Sequence, residues 1–532
     1  MKTNQPIFLG AAIFLVSYLI LSFNIGGLSV YALDEARNAE CAREMYQQSE
    51  WIIPTFNYQL RPHKPPLHYY FMMFGFGLFG VSEFAARFFG IIAGAMTILT
   101  TFLFVKQHLN QSIALRTVMV LLASLHFSVQ VHMAVPDPYL ILFVSLSLFA
   151  FYNAVVLGGW RWLLTCYISM GLATLTKGPV AIAVPGLIML LFLVFSKRFS
   201  WQTIKKLRPF LAILVVLLVV VPWYYAVHIA TDGEWTRLFF LEQNVQRFTN
   251  TMEGHGGSFF LPLLFVLFGM LPFTFYSFEL FKQQWGRKKW LDQPFLLFCL
   301  LVSATFILFF GISSTKLPNY TTPTYPFVAV LLGYVIWKVE QQTKMSRSVK
   351  VAWVIYLLLM SLLPFAAYYA LEADASLQHL KHLGYYFAIL PVFGLLGFAF
   401  LLKNKPVLAH QIITGKWIAL SFCFFYLVFP KFDKENPVLI GVEKIEHNQA
   451  IGQYKISNQA FVWYLAKEET IPSFKYVSEV KTFFEENPEG YLLTRKKYVA
   501  NLQKIGSWET IVERKDLFET PTTVILKKKN ME

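Results

Sequence analysis

Apolar runs of membrane-crossing length, repeated along most of the chain, constrain this sequence more than any other feature. A spanning helix needs about 20 predominantly apolar residues, and about thirteen stretches qualify. They run roughly 7–30, 83–105, 112–134, 138–157, 161–176, 179–196, 208–229, 259–280, 294–313, 319–337, 351–371, 384–402 and 415–430. Only 14% of the 532 residues are charged and 56% are hydrophobic, against about 25% charged in ordinary soluble domains. A soluble multidomain enzyme and a disordered chain are thereby excluded. The expected fold is a polytopic all-α membrane domain over 1–430, followed by a small soluble α/β domain over 431–532.

The net charge of +15 would point to nucleic acid in a soluble protein, but its distribution argues otherwise. Residues 431–532 hold 16 Lys/Arg and 15 Asp/Glu, so the excess lies in 1–430. There it falls in short connections between apolar runs: Lys197, Arg198, Lys205, Lys206 and Arg208; Lys282, Arg287, Lys288 and Lys289; Lys338, Lys344, Arg347 and Lys350; Lys403, Lys405 and Lys416. Alternating the spans from a cytoplasmic Lys2 puts all these connections on one side, as the positive-inside rule requires. The expected partners therefore include membrane lipids and no nucleic acid. The same alternation puts loops 31–82 and 230–258 and the C-terminal segment on the outer side. Three of the four cysteines (Cys166, Cys299, Cys423) lie inside apolar runs and Cys41 stands alone, so neither a disulfide framework nor a Cys-x-x-Cys metal motif is present. The first apolar run lacks a small-residue cleavage site and reads as an uncleaved first helix.

In the tail, β-like runs (451–456, 473–477, 491–494, 523–526) alternate with helical stretches (458–467, 479–486), which predicts an α/β layer. It has no Gly-rich phosphate loop, so its expected role is structural or substrate-capping.

With this topology, the unusual polar residues collect at one face. Asp34, Glu35, Arg37, Glu40, Arg43 and Glu44 open the first outer loop, where i, i+3 and i+4 spacing lets Asp34, Arg37 and Glu40 share a helix face. The alternative for this stretch is an amphipathic helix lying at the interface. Arg61-Pro-His-Lys-Pro-Pro-Leu67 holds His63 and Lys64 on a stiff backbone. Pro136-Asp-Pro138 presents Asp137 at a helix end, where it can serve simply as a cap. Lys177-Gly-Pro179 interrupts a long apolar stretch; a lysine there needs protein, water or an anion beside it, unless it snorkels to the interface. Glu242, Arg247 and His255 lie in the loop after the seventh span, and Lys316-Leu-Pro-Asn-Tyr320 precedes the tenth. Acids, cations and imidazoles at one membrane face point to a site for an anionic, membrane-embedded substrate.

The order of these motifs resembles the GT-C glycosyltransferases, specifically the bacterial family related to protein O-mannosyltransferases and to aminoarabinose transferase of lipid A. The similar pieces are Asp34-Glu-Ala-Arg37 with Ala42-Arg-Glu-Met45, Lys64-Pro-Pro66, Glu83-Phe-Ala-Ala-Arg87, Asp137, Thr176-Lys-Gly-Pro179, Pro222-Trp-Tyr224, Glu242 with Arg247-Phe248, His255 and Lys316-Leu-Pro318. The resemblance implies an inverting transferase that moves a sugar from a polyprenyl-phosphate carrier to a lipid A-like or protein acceptor at the outer face of a bacterial inner membrane. It implies catalytic roles for Asp34 and Asp137. Donor-phosphate contacts fall to Lys64, Lys177, Arg247 and Lys316, and cavity positions to Glu35, Arg37, His63, Glu242, His255 and Tyr320. No cofactor is required by this reading. The family often has Tyr where this chain has Asn38, and an acid where it has His63; with that acid gone, a divalent metal would rest on His63 and His255 alone. The competing class, a transporter or flippase of lipid-linked sugars, should place polar residues near the bilayer midplane in broken helices of two matching halves.

Overall fold

The computed structural model describes residues 5–31, 33–250, 256–279, 293–446, 448–517 and 520–529. Helix α1 (Gln5–Leu21) leads into α2 (Leu33–Gln47), a two-strand hairpin (β1 Thr55–Phe56, β2 Gln59–Leu60) and α3 (Leu67–Phe79). The bundle continues with α4 (Glu83–His108), α5 (Gln111–Ala123), α6 (Leu125–His132), α7 (Asp137–Val156), α8 (Trp160–Lys177), α9 (Val180–Phe195), α10 (Trp201–Leu207), α11 (Pro209–Ala230) and α12 (Glu234–Phe240). Five further long apolar helices or helix pairs follow between Leu261 and Asp433.

The chain marks its own breaks. Ser82 caps α4 by accepting the Ala85 amide at 3.3 Å, and Asn110 caps α5 by accepting that of Ile113 at 2.9 Å. At Ser124 the path bends by 63° between α5 and α6; the hydroxyl caps the new turn at Phe127 and donates to the Gly269 carbonyl at 2.9 Å. Gly178 separates α8 from α9 at φ +91°, and a Cβ there would come within 2.6 Å of the Phe239 ring, so both backbone and space demand glycine.

Among the described residues seven helices are long and apolar enough to cross a membrane, or nine if each of two bent pairs is one span. The second bent pair, Leu261–Gly269 with Phe273–Glu279, turns by 115°. α1, α3 and α9 are apolar but shorter. Of the basic residues expected in connections, Arg198 follows α9 and donates to the Val155 carbonyl at 3.4 Å, whereas Lys416 does not lie in a connection: it is buried inside the helix Pro406–Cys423 and donates to the Leu390 carbonyl at 2.8 Å. The connection with Lys282, Arg287, Lys288 and Lys289 lies outside the described residues.

The C-terminal domain is a five-stranded mixed sheet in the order β4 (Ser473–Phe474), β3 (Ile451–Tyr454), β5 (Tyr491–Arg495), β7 (Thr522–Lys528), β6 (Trp508–Lys515). β3 pairs in parallel with β4 and β5, whereas β7 is antiparallel to both its neighbours. Strand β6 was not legible: its exposed, charge-rich sequence WETIVERK lacks the apolar signal of an internal strand, because it is the sheet's edge.

This domain shares a core with the first loop. Ala36, Ala39, Ala42 and Met45 of α2 are fully buried with Phe461 and Trp463 of the domain and with Phe76 of α3. An interface-lying α2 is therefore corrected: its small apolar face is covered by protein. Reciprocal bonds between the Asn57 side chain and the Ile471 backbone (2.8 and 2.9 Å), and from Tyr464 to Glu83 (2.9 Å), fix the docking.

Candidate active site

Asp34 stands in the first turn of α2 and Asp137 is the first residue of α7. Lys177 ends α8. Because α7 begins and α8 ends at the same level, Lys177 Nζ reaches Asp137 Oδ1 at 2.6 Å, nearly out of contact with solvent. The second oxygen, Oδ2, accepts from Asn319 Nδ2 at 3.2 Å, and the Lys177 ammonium lies over the Tyr320 ring at 5.4 Å. The lysine is thus held by protein rather than snorkelling, and Asp137 does more than cap its helix.

Beside this pair lies a cavity of about 390 Å³. Its polar end is formed by His63, Lys64, Lys177, Asn244, Arg247 and Tyr320; its walls are apolar, among them Leu140, Val144, Val180, Phe306 and Phe310. Lys64, Lys177 and Arg247 bring three cations to this end, while the carboxylate among them, Asp137, is already engaged by Lys177. Such a chamber is matched by a molecule with an anionic head and a long apolar body.

The charges act on one another. Burial pushes the Lys64 ammonium down to about 8, helped by Lys177 and Arg247 and opposed by Asp34 and Asp137. His63 is pushed down to about 3 by burial and by Arg61, Lys64, Arg37 and Arg247, so it is a neutral imidazole at pH 7. For Asp34, burial would raise the carboxyl, but Lys64, Arg61, Arg37 and Arg247 outweigh it and hold it below the ordinary carboxylate range. Asp34 itself is solvent-exposed. Lys64 therefore joins the two acids electrostatically, since it responds to both Asp34 and Asp137.

Other expected positions fall elsewhere. Glu35 does not line the cavity: on a helix the next residue is rotated by about 100°, which carries it from Asp34's open face into the interior. There it pairs with Arg87 at 2.7 Å and accepts the Ala134 amide at 2.8 Å. Glu40 does not share a face with Asp34; it is fully buried and bonded to Arg43 at 2.8 Å. Arg37 stays close enough to act on both Asp34 and His63. Lys316 is buried behind the chamber, donating to the Ser313 carbonyl at 2.6 Å. Glu242 sits half-buried on the wide π-helical turn Leu241–Gln246 and is not part of the cavity wall, although Asn244 of the same turn is.

His255, and with it the proposed His63/His255 metal pair, lies outside the described residues. Among the described residues no group of three or more His, Cys, Asp or Glu is placed to hold a metal. His63 stands amid four cations, which oppose a dication there.

Two contributors were missed. Asn319, one residue before Tyr320, orients Asp137, and its position within Lys316-Leu-Pro-Asn-Tyr320 was the available signal. Arg61 is buried, donates to Tyr69 at 3.0 Å and to Asn38 at 2.9 Å, and acts on both Asp34 and His63. Asn38, where the resembled family often has Tyr, here supplies an acceptor for that guanidinium.

Fold and site together define a helical membrane protein with a cation-bearing, apolar-walled chamber next to the Lys177–Asp137 pair. Residues 63–225 match the dolichyl-phosphate-mannose-protein mannosyltransferase family. The chain is 31% identical over 348 residues to undecaprenyl phosphate-alpha-4-amino-4-deoxy-L-arabinose arabinosyl transferase 2 of Pseudomonas fluorescens, covering 62% of this chain and 59% of that one. It is 29% identical over 354 residues to an uncharacterized protein of Aquifex aeolicus, covering 66% and 77%. Its fold is that of ArnT from Cupriavidus metallidurans, a structure with undecaprenyl phosphate bound: TM-score 0.76, 21% identity, 98% of each chain. In sequence and in fold the chain is thus similar to aminoarabinose transferases and, over part of its length, to the mannosyltransferase family. It spans about three-fifths of the length of the arabinosyl transferases it matches.

Proposed function

We propose that this protein is an inverting glycosyltransferase that takes a sugar from a polyprenyl-phosphate donor and places it on a lipid A-like or protein acceptor. The reading is carried by one observation: an apolar-walled chamber lined by three cations, two of which, Lys64 and Arg247, act electrostatically on Asp34. Lys64, Lys177 and Arg247 take the donor phosphate and stabilise the charge that develops as the sugar–phosphate bond breaks. The apolar walls take the first isoprene units. Asp34 removes the proton from an acceptor hydroxyl, a role that contributes about 10²–10⁴-fold. Its carboxyl is held low by four cations; a bound phosphate neutralises part of that field and makes Asp34 a better base once the donor is in place. If the acceptor nucleophile is itself a phosphate, Asp34 orients it and no base is needed. Asp137, held by Lys177 and Asn319, orients the sugar or acceptor.

The topology belonging to this function is thirteen crossings: the seven long helices, the two bent pairs, α1, α8, α9 and the helix Tyr325–Glu340. The site and the C-terminal domain are periplasmic, at the face of the inner membrane opposite the basic connections. A flippase for lipid-linked sugars would use the same cations but would leave the sugar–phosphate bond intact. Incubating purified protein with labelled polyprenyl-phosphate sugar and a lipid A or peptide acceptor tests the reading. Transfer of label with release of polyprenyl phosphate is expected; movement of intact donor across a vesicle without cleavage would refute it.

A further inference from the structure

Two polar residues of the recurring motifs remain outside the chemistry above: Glu35, next to Asp34, and Arg87, the last residue of Glu83-Phe-Ala-Ala-Arg87. Both are 3% exposed. Arg87 Nε donates to Glu35 Oε1 at 2.7 Å. Its Nη1 donates to the Ile25 and Leu28 carbonyls, both at 2.7 Å, and its Nη2 to the Ser29 carbonyl at 2.9 Å. One guanidinium thus gathers the chain as it leaves α1. The Glu35 oxygen that receives Arg87 also accepts the backbone amide of Ala134 at 2.8 Å. Ala134 lies three residues before Asp137, in the tight turn that leads from α6 to α7, and Glu35 lies one residue after Asp34. A single carboxylate oxygen therefore ties the backbone that carries one acid to the backbone that carries the other.

The C-terminal domain grips the same knot. Asp433 accepts the Ser29 amide at 2.7 Å, Asn436 Nδ2 donates to Ser29 Oγ at 3.2 Å, and Tyr464 receives the Val30 amide at 2.8 Å.

The geometry points to Glu35 and Arg87 as positioning residues that set the separation of Asp34 and Asp137. This rests on the transferase reading. Neither touches the cation cluster, so donor affinity is independent of the strut while turnover is not. A displacement of about 1 Å at a reacting group can cost about 10²-fold in rate.

The experiment measures kcat and donor KM for Glu35→Gln and, separately, for Ala134→Pro, which removes the amide hydrogen, stiffens the turn and leaves the Glu35–Arg87 ion pair whole. Direct binding of polyprenyl phosphate serves as the check that the fold survives. Both variants are expected to lose about 10²-fold in kcat with donor KM and binding within about threefold of wild type. Wild-type kcat in Ala134→Pro, or a parallel loss of donor binding and kcat in both variants, would overturn the inference. An inactive wild type removes the transferase reading and the inference together; an active wild type with insensitive variants removes the inference alone.

Discussion

Raising the pH should disable donor capture through one side chain, Lys64. Its ammonium titrates at about 8 because burial and the neighbouring Lys177 and Arg247 disfavour the charge more than Asp34 and Asp137 favour it. About nine in ten Lys64 side chains are charged at pH 7 and about one in thirty at pH 9.5. A hydrogen bond to a charged partner contributes about 1.5–3 kcal/mol, so losing it weakens donor binding by about 10- to 10²-fold. In a kcat/KM profile the loss should begin near pH 8. The kcat profile should hold to higher pH, because a bound phosphate stabilises the ammonium. Arginine stays charged throughout this range, so Lys64→Arg should flatten the fall between pH 7 and 9.5 even if its absolute affinity differs. Stability has the opposite sign. The folded pKa lies below that of the unfolded lysine, so between pH 8 and about 10.5 the unfolded chain binds more protons and Lys64's contribution to stability rises with pH. The measurement is steady-state transfer with labelled donor at fixed ionic strength, with unfolding monitored in parallel. A wild-type kcat/KM that stays flat through pH 9.5, or a Lys64→Arg profile that falls in the same way, would refute the reasoning.

Asp34→Asn should reduce transfer at least 10²-fold while donor binding persists; residual activity above a tenth of wild type removes Asp34 as base. Lys177→Met leaves Asp137 buried without its ion-pair partner and with Asn319 as its hydrogen-bond donor, and unfolding should register a loss of about 3–5 kcal/mol. Adding Asp137→Leu should restore most of that stability without restoring turnover, and restored turnover would detach the pair from the chemistry. Val180→Trp fills the apolar end of the chamber and should raise donor KM about tenfold with kcat at saturating donor little changed, whereas an equal fall in kcat would move the donor tail elsewhere. His63→Gln should blunt the loss of stability between pH 6.5 and 3: the unfolded histidine takes up a proton there and the folded one, titrating at about 3, does not.

The chain's linear order determined that a helical bundle would form and which polar side chains would be too expensive to leave in lipid without partners. Asp34, Lys64, Asp137, Lys177 and Arg247 were legible because a charge beside a 20-residue apolar run, or a Pro-flanked turn, is conspicuous without any fold. Partnership was not legible. Glu35 reads like Asp34 in the sequence, and only the turn of α2 leaves one exposed and sends the other to Arg87 and Ala134. Lys316 reads like Lys177, yet packing turns it to a carbonyl behind the chamber. Asn319 and Arg61 acquire roles solely through contacts with residues 182 and 23 positions away. An apolar period reports which face of a helix leaves water, a local property of neighbouring residues. Which oxygen meets which nitrogen depends on how distant helices pack, and tertiary structure alone decided that.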